Sequence, residues 1–563
     1  MFSLLKLYYL NTPILSKRAY FFLFSLLGLV YFIGLFVPLM DNDSAHHSVI
    51  ALRMYLTGDY VNLIDHSGDY LDKPHFLFWT SALSYHIFGV TSFAYKFPSF
   101  LFTILGVYSV FRLTKELYDH ETGKLAALIA ASSFCVILGN NDVRMDAILM
   151  SCIAFASWQL VAFVHHRKFI FLVGAALGLA IGFCTKGHVG LVTPVAGILF
   201  YILYKKEWKL FYDWRWLIVI FLFALFISPV VYCYYLQFNL HPEKTIRELN
   251  KVNGVKFILW DQSFERITGR KQLGEAGKND RIFFLHTFLW TFAPWCFVAF
   301  IALFFRLKNF FTRTQEWLST GTFLLLALLI NFSGFKLPHY LPILAPATAI
   351  LVAHFFISKK NDAGWQRGFF ILQLIASFCL LLLAVLINVW AFPVKSFWLT
   401  GAVILLLSVV FYFLLSKKFL LIQKSIAVSV SAVALFFFLL NTNFYPQLLP
   451  YQGGKPLTDS TRGVANPKEV YFWKNTFSAS YNFYSSSLRQ VYNDSMFLPG
   501  KKCWLVYQQS QKQEVDSAGF LFGKMVAVPD YEITRLNKKF VNPATRKEVL
   551  DSLVMVEVIN KKY

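Results

Sequence analysis

The stretch PLMDNDSAHH, positions 38–47, follows a long, almost uncharged run and opens with two carboxylates, Asp41 and Asp43. A D-x-D pair can clamp a cation for a nucleotide sugar, line a solvated loop, or supply one carboxylate that accepts or orients a proton. Further groups able to do chemistry recur at similar boundaries between polar and apolar sequence. DYLDKPHFLFW carries Asp69, Tyr70, Asp72 and Lys73, and NNDVRMDAILM carries Asp142, Arg144 and Asp146. CTKGHVG carries Lys186 and His188, WDQSFERITGR carries Glu265 and Arg266, and SGFKLPHYLPILAP carries Lys336, His339 and Tyr340. Each has an ordinary structural reading as a helix cap, an interfacial anchor or a solvated end. Lys186 and Lys336 fit that reading least, because almost no loop surrounds them and a cation at membrane depth is costly unless paired or functional. Together, lysines and arginines at one partly desolvated place would stabilise a phosphate, and the carboxylates could handle a hydroxyl proton or hold sugar hydroxyls.

These groups need elements that bring them to one side. The chain has 563 residues, 57% hydrophobic and only 15% charged, with a mean hydropathy of +0.52. That is the composition of a polytopic α-helical membrane protein. About thirteen apolar segments are long enough to be candidate spans, near 19–40, 93–113, 124–140, 147–164, 169–185, 188–204, 215–236, 283–305, 317–333, 338–357, 368–392, 397–416 and 426–443. The first is too long for a signal-peptide core and lacks a small-residue cleavage site, so it is expected to stay as an anchor. The net charge of +22 lies in short Lys/Arg clusters between apolar runs, which indicates membrane topology and no nucleic-acid partner.

The clusters recur at every second connection, which places the N-terminus in the cytoplasm and all the chemistry-bearing segments outside. Two long external connections, about 41–92 and 237–282, are expected to carry the catalytic loops of a membrane domain, residues 1–445. Residues 446–563 turn polar and include the strand-like KKCWLVYQQ and SLVMVEVIN, enough for a small soluble α/β domain on the external, periplasmic face. None of the seven cysteines forms a C-x-x-C pair, and six lie in or beside apolar runs as packing residues. Histidines 46, 47, 188 and 339 show no i, i+4 pairing of the kind that builds a helical metal site.

Taken in order, DSAHHSVIALRMYLTGD, LDKP, VRMDAILM, TKG, WDQSFER, FAPW and KLPHYLP resemble family 39 glycosyltransferases. These C-type membrane enzymes include protein O-mannosyltransferases and, closest in layout, bacterial aminoarabinose transferases acting on lipid A. The resemblance covers nearly the whole chain and implies the GT-C fold, with a polyprenyl-phosphate-linked sugar as donor. It places the catalytic aspartates on Asp43 and Asp146, and the donor-phosphate contacts on Tyr70, Lys73 and Arg266. Asp41, His46, Asp72, Lys186, Lys336 and Tyr340 are further candidates for substrate binding. Two departures stand out: Ser44 replaces the glutamate that commonly follows the first aspartate, and Ser263 replaces a histidine typical of the aminoarabinose enzymes. The second weakens any carry-over of a bound metal, so a divalent cation stays an open question.

The implied reaction is an inverting single displacement at the anomeric carbon, transferring the sugar to lipid A, another glycolipid or a protein on the external face of a bacterial inner membrane. Polyprenyl phosphate leaves as a stable anion and needs no general acid, unlike the leaving group of an ordinary glycoside. The main rival is a transporter or flippase of lipid-linked glycans, which should show mid-span charges and repeat symmetry. Neither is visible in the sequence.

Overall fold

A computed structural model describes residues 13–246, 249–263, 280, 282–313, 315–333, 336–493 and 503–561. The first part of the membrane region contains α1 (Lys17–Gly34), α2 (Asp43–Thr57), α3 (Phe76–Phe88), α4 (Ser92–Leu117), α5 (His120–Ala131), α6 (Phe134–Asn141) and α7 (Asp146–His166). Next come α8 (Phe169–Lys186), α9 (Val189–Lys205), α10 (Trp216–Tyr234), α11 (Phe283–Thr291) and α12 (Cys296–Lys308). The last are α13 (Leu318–Phe332), α14 (Ala345–Lys359), α15 (Ala363–Val385), α16 (Phe397–Leu415) and α17 (Leu421–Leu439).

All thirteen apolar segments fall on helix, but fewer qualify as full crossings. Among the described residues, nine helices are long and apolar enough to span a membrane, or ten if the bent pair α5 and α6 counts as one. The α5–α6 pair turns by 50° at its break, and α9 and α13 are short. The segment expected at 283–305 is split into α11 and α12 around Phe292–Trp295. An apolar run counted along the sequence does not reveal where a helix breaks.

Burial orders the bundle. The most hydrophobic window of α7 is 89% buried, whereas that of α16 is only 11% buried. A helix apolar all round and largely uncovered by protein, as α16 is with Trp398, Ile404 and Leu405 exposed, belongs against lipid tails. Enclosed α7 packs against α4, α8 and α9, and small residues set the approach. Gly106 lies against Ser151 and Gly178 against Ala156, while a Cβ on Gly190 would come within 2.3 Å of the Gly182 carbonyl carbon. Such backbone contact holds membrane helices closely together. Here it locks α8 to α9 just beside Lys186.

Between α2 and α3 runs a small hairpin, β1 (Ile64–Asp65) and β2 (Gly68–Asp69), paired Ile64 to Asp69 and Asp65 to Gly68. The polar C-terminal part forms a four-stranded sheet from β3 (Val470–Phe472), β4 (Cys503–Gln508), β5 (Phe520–Asp530) and β6 (Asp551–Lys561), in the order β3-β4-β6-β5. Only β3 and β4 are parallel. Alternate residues of β4 serve two cores: Trp504 and Val506 pack with Leu457 and Tyr481, and Leu505 and Tyr507 with Val515 and Phe520. Both faces of β4 are therefore covered, as its unbroken apolar run CWLVY requires of a strand whose side chains alternate between faces.

This part is pinned to the start of α2. Gln452 accepts from the Asp41 amide at 2.9 Å and donates to the Leu39 carbonyl at 2.7 Å. The Tyr484 hydroxyl accepts from the Leu39 amide at 2.8 Å. Asp41 Oδ2 accepts from the hydroxyls of Ser478 at 2.8 Å and Ser480 at 2.7 Å. Asp530 lies close by. Burial, then the neighbouring carboxylates Asp41 and Asp551, push its carboxyl up to about 6 from 3.8.

An aspartate raised in the fold is protonated more readily folded than unfolded, so its contribution to stability is fully present below about pH 4 and lost as pH rises through about 6. Asp530→Asn should therefore raise the unfolding temperature at pH 7.5 and flatten its dependence between pH 4.5 and 7.5. Thermal unfolding of both proteins in detergent across that range checks this. An unchanged slope would remove Asp530 as the source.

Candidate active site

The site is built on helix ends. Asn42 caps α2 by accepting from the Ser44 amide at 2.8 Å, which leaves Asp43 in the first turn, where the helix dipole favours a negative charge. Gly58 ends α2 with φ +72°. Asp59 then folds the chain back by accepting from the Val61 and Asn62 amides, each at 3.0 Å. The GD pair of the sequence is thus a turn device that aims the following loop toward α3.

Asp43 Oδ2 accepts from Arg144 at 2.8 Å, and the Asp43 side chain is still 48% exposed. Arg144 also grips Asp142 through Nε at 3.1 Å and lies 2.9 Å from His339 Nδ1. Burial opposes the charge on Asp43, but His47, Arg144 and Lys73 outweigh it and hold the carboxyl below the usual carboxylate range. His47 is buried and pushed down to about 3, chiefly by burial and then by His46. The Tyr70 hydroxyl lies 3.4 Å from His47 Nε2. Lys73 donates to Asp72 at 2.5 Å.

A second group adjoins the first. Asp146 heads α7 and accepts from Lys186 at 2.5 Å, with the two side chains only 5% and 9% exposed. Lys186 also lies 4.3 Å from the centre of the Tyr340 ring. His339 and Tyr340 are neighbours in the 3-10 turn Pro338–Leu344, so one turn links the Arg144 group to the Lys186 group. Gly187 follows Lys186 with φ +72°, and a Cβ there would meet Gln262 Oε1 at 2.8 Å. Glycine is required on both counts. Gln262 donates to the Asp72 carbonyl at 2.5 Å, and His188 pairs with Ser263 at 2.8 Å. Segments from five connections thereby close into a ring.

Beneath the second group runs a cleft of about 240 Å³, with Lys186, His188 and Tyr340 at its polar end and Val189, Val192, Leu326, Leu329 and Ile330 along its walls.

Not every candidate enters this ring. Lys336 donates to the Asp280 carbonyl at 3.0 Å. Asp41 is engaged by Ser478 and Ser480. His46 faces Asp65 at 3.4 Å. Arg266 lies outside the described residues. The residue the sequence undervalued is Arg144, which joins Asp43, Asp142 and His339; its signal was an arginine set between Asp142 and Asp146 in a short polar interruption.

Across nearly its full length the chain superposes on the crystal structure of ArnT from Cupriavidus metallidurans bound to undecaprenyl phosphate. The TM-score is 0.71 at 14% identity, covering 96% of this chain and 98% of that one. The chain has the GT-C fold.

Within that GT-C frame, residues 72–233 match the profile of the dolichyl-phosphate-mannose-protein mannosyltransferase family. A Sodalis glossinidius undecaprenyl phosphate-alpha-4-amino-4-deoxy-L-arabinose arabinosyl transferase is 30% identical over 193 residues, 33% of this chain and 35% of that protein. A Pseudomonas fluorescens protein of the same name is 26% identical over 333 residues, 57% of this chain and 55% of that protein. An uncharacterized Aquifex aeolicus protein is 24% identical over 358 residues, 63% of this chain and 77% of that protein. The matches to the Sodalis protein and to a Pseudomonas aeruginosa transferase thus span about a third of those relatives. The profile region runs from Asp72 through Asp146 and Lys186 to α10, so it contains the Asp146–Lys186 pair.

Proposed function

We propose that this chain is a membrane glycosyltransferase that moves a sugar from a polyprenyl phosphate to lipid A, another glycolipid or a protein by inverting single displacement. The observation that carries the reading is the pairing of a half-open, ionised Asp43 with a cleft that Lys186, His188 and Tyr340 line beside apolar walls. A lipid phosphate fits that cleft: the tail lies along the Val189 and Leu326 walls, with its head toward Lys186. Lys73, Tyr70 and Arg266 complete the donor-phosphate contacts in this reading, and Asp146 fixes Lys186. The undecaprenyl phosphate named for the arabinosyl transferase relatives and bound in the ArnT structure supports the same donor class.

The electrostatics of Asp43 refine its role. A carboxylate held below its usual range by Arg144 and its neighbours is a weak proton acceptor. It is better suited to orient an acceptor or stabilise positive charge developing on the sugar ring. That favours an acceptor already deprotonated, such as a lipid phosphate, over a serine or threonine hydroxyl. In this reading the multi-pass chain lies in a bacterial inner membrane with its N-terminus cytoplasmic, and residues 446–563 form a soluble domain on the periplasmic side, beside the entry to α2.

The test compares envelope glycolipids and secreted glycoproteins by mass spectrometry in cells with and without the gene. The sugar found missing is then supplied on undecaprenyl phosphate to the purified protein. Loss of one sugar from a lipid class, restored in vitro, is the expected result. Unchanged spectra in both classes would overturn the reading.

A further inference from the structure

We propose that His46, Asp65 and His66 form a binding site for a divalent transition-metal ion of the zinc class, beside the candidate active site and separate from its Asp43–Arg144 and Asp146–Lys186 pairs. The three residues come from two elements. His46 lies in α2, one helical turn beyond Asp43, while Asp65 ends β1 and His66 is the first residue of the hairpin turn. One ligand atom from each lies within 4.8 Å of the other two.

The spacing suits a metal. Donors at about 2.0–2.2 Å from a tetrahedral ion stand about 3.3 Å apart. His46 Nε2 and Asp65 Oδ2 are already 3.4 Å apart. His46 Nε2 is shielded from solvent, and its polar neighbour Asp65 Oδ2 at 3.4 Å is too poorly placed for a good hydrogen bond. A buried imidazole nitrogen so weakly satisfied is a costly arrangement that a metal would improve.

The carboxylate is aimed from behind. Asp65 Oδ1 accepts from both the amide and the hydroxyl of Ser67 at 2.6 Å, which leaves Oδ2 toward His46. Oriented carboxylates of this kind are the usual support of metal sites. His66, the exposed member, stacks on Phe477 from the C-terminal part with ring centres 4.0 Å apart, and reaches the other two from the turn.

Two imidazoles with one carboxylate select zinc-like ions over calcium or magnesium, which take oxygen ligands. Three protein ligands leave one tetrahedral position open for water or a substrate oxygen. Because the ion would join the hairpin to the first turns of α2, occupancy should stiffen the segment that carries Asp43. The spacing rule for paired histidines along one helix cannot find such a site, since its ligands come from a helix and a hairpin. The inference does not depend on sugar transfer.

The test uses tag-free, full-length protein in detergent, stripped with chelator and titrated with zinc chloride against a competing chromophoric chelator. Metal content is read by mass spectrometry and unfolding temperature is followed in parallel. One zinc per chain and a raised unfolding temperature are expected. His66→Gln and Asp65→Asn should weaken binding by more than about tenfold, the lower end of what even an outer-shell change costs, and abolish the zinc-dependent rise. His86→Gln, outside the cluster, should behave as wild type. Because His66 is exposed, an unchanged unfolding temperature of zinc-free His66→Gln separates lost binding from lost fold. The proposal is overturned if stripped wild type binds no zinc saturably, or if His66→Gln and Asp65→Asn bind it as tightly as wild type.

Discussion

Asp43→Asn is expected to leave a folded chain that transfers sugar more slowly than wild type by about 10²-fold or more, the usual cost of removing one group that stabilises charge developing in the transition state. The amide keeps the shape of the carboxylate but loses its charge and its two-oxygen acceptor face. Arg144 still has Asp142 at 3.0 Å and His339 at 2.9 Å, so the change does not strand a buried guanidinium. The loss should therefore fall on rate, with little change in unfolding temperature. Initial rates with a polyprenyl-phosphate sugar, measured beside thermal unfolding in the same detergent, separate the two. A folded Asp43→Asn protein working at the wild-type rate would remove Asp43 from the chemistry and sink the assignment. Asp41→Asn is the informative companion, because Asp41 is bound to Ser478 and Ser480 and should act mainly on stability.

The second large effect concerns the buried pair at the head of α7. Lys186→Met removes the partner of a carboxylate that is only 5% exposed, and breaking such a pair from one side costs about 3–5 kcal/mol. A marked fall in unfolding temperature and in detergent-soluble yield is expected. Adding Asp146→Leu to that variant removes the stranded charge and should recover most of the stability, because a buried ion pair replaced by apolar groups is often neutral. It should not recover transfer, if Lys186 faces the donor phosphate. Measuring both single variants and the double gives the coupling directly. Additive losses of stability would show that the two side chains do not depend on each other.

Much of the fold was legible because lipid imposes it. Thirteen apolar segments all lie on helix, since a chain in hydrocarbon has few other ways to satisfy its backbone. Their lengths misled the count where the chain breaks, as at the 50° bend between α5 and α6. The ring of segments around Asp43 could be anticipated from side-of-membrane sorting alone. Which atoms would meet could not: Arg144 was one cation among several, and only the folded positions of Asp43 and His339 give it two more partners. Asp41 shows the limit most clearly. The serines that engage it lie 437 and 439 residues further along the chain, and no local pattern announces a contact across that separation.

That contact bears on how such chains can be recombined. The last hundred or so residues look detachable in the sequence, a polar unit after a membrane bundle. Yet Gln452, Ser478, Ser480 and Tyr484 satisfy backbone and carboxylate groups of Leu39 and Asp41, immediately before the helix that presents Asp43. A chimera that exchanged only the terminal unit between relatives would mismatch this seam and leave those groups without their partners. The exchangeable unit is residues 446–563 together with residues 39–41, so two stretches far apart in the chain must change as one.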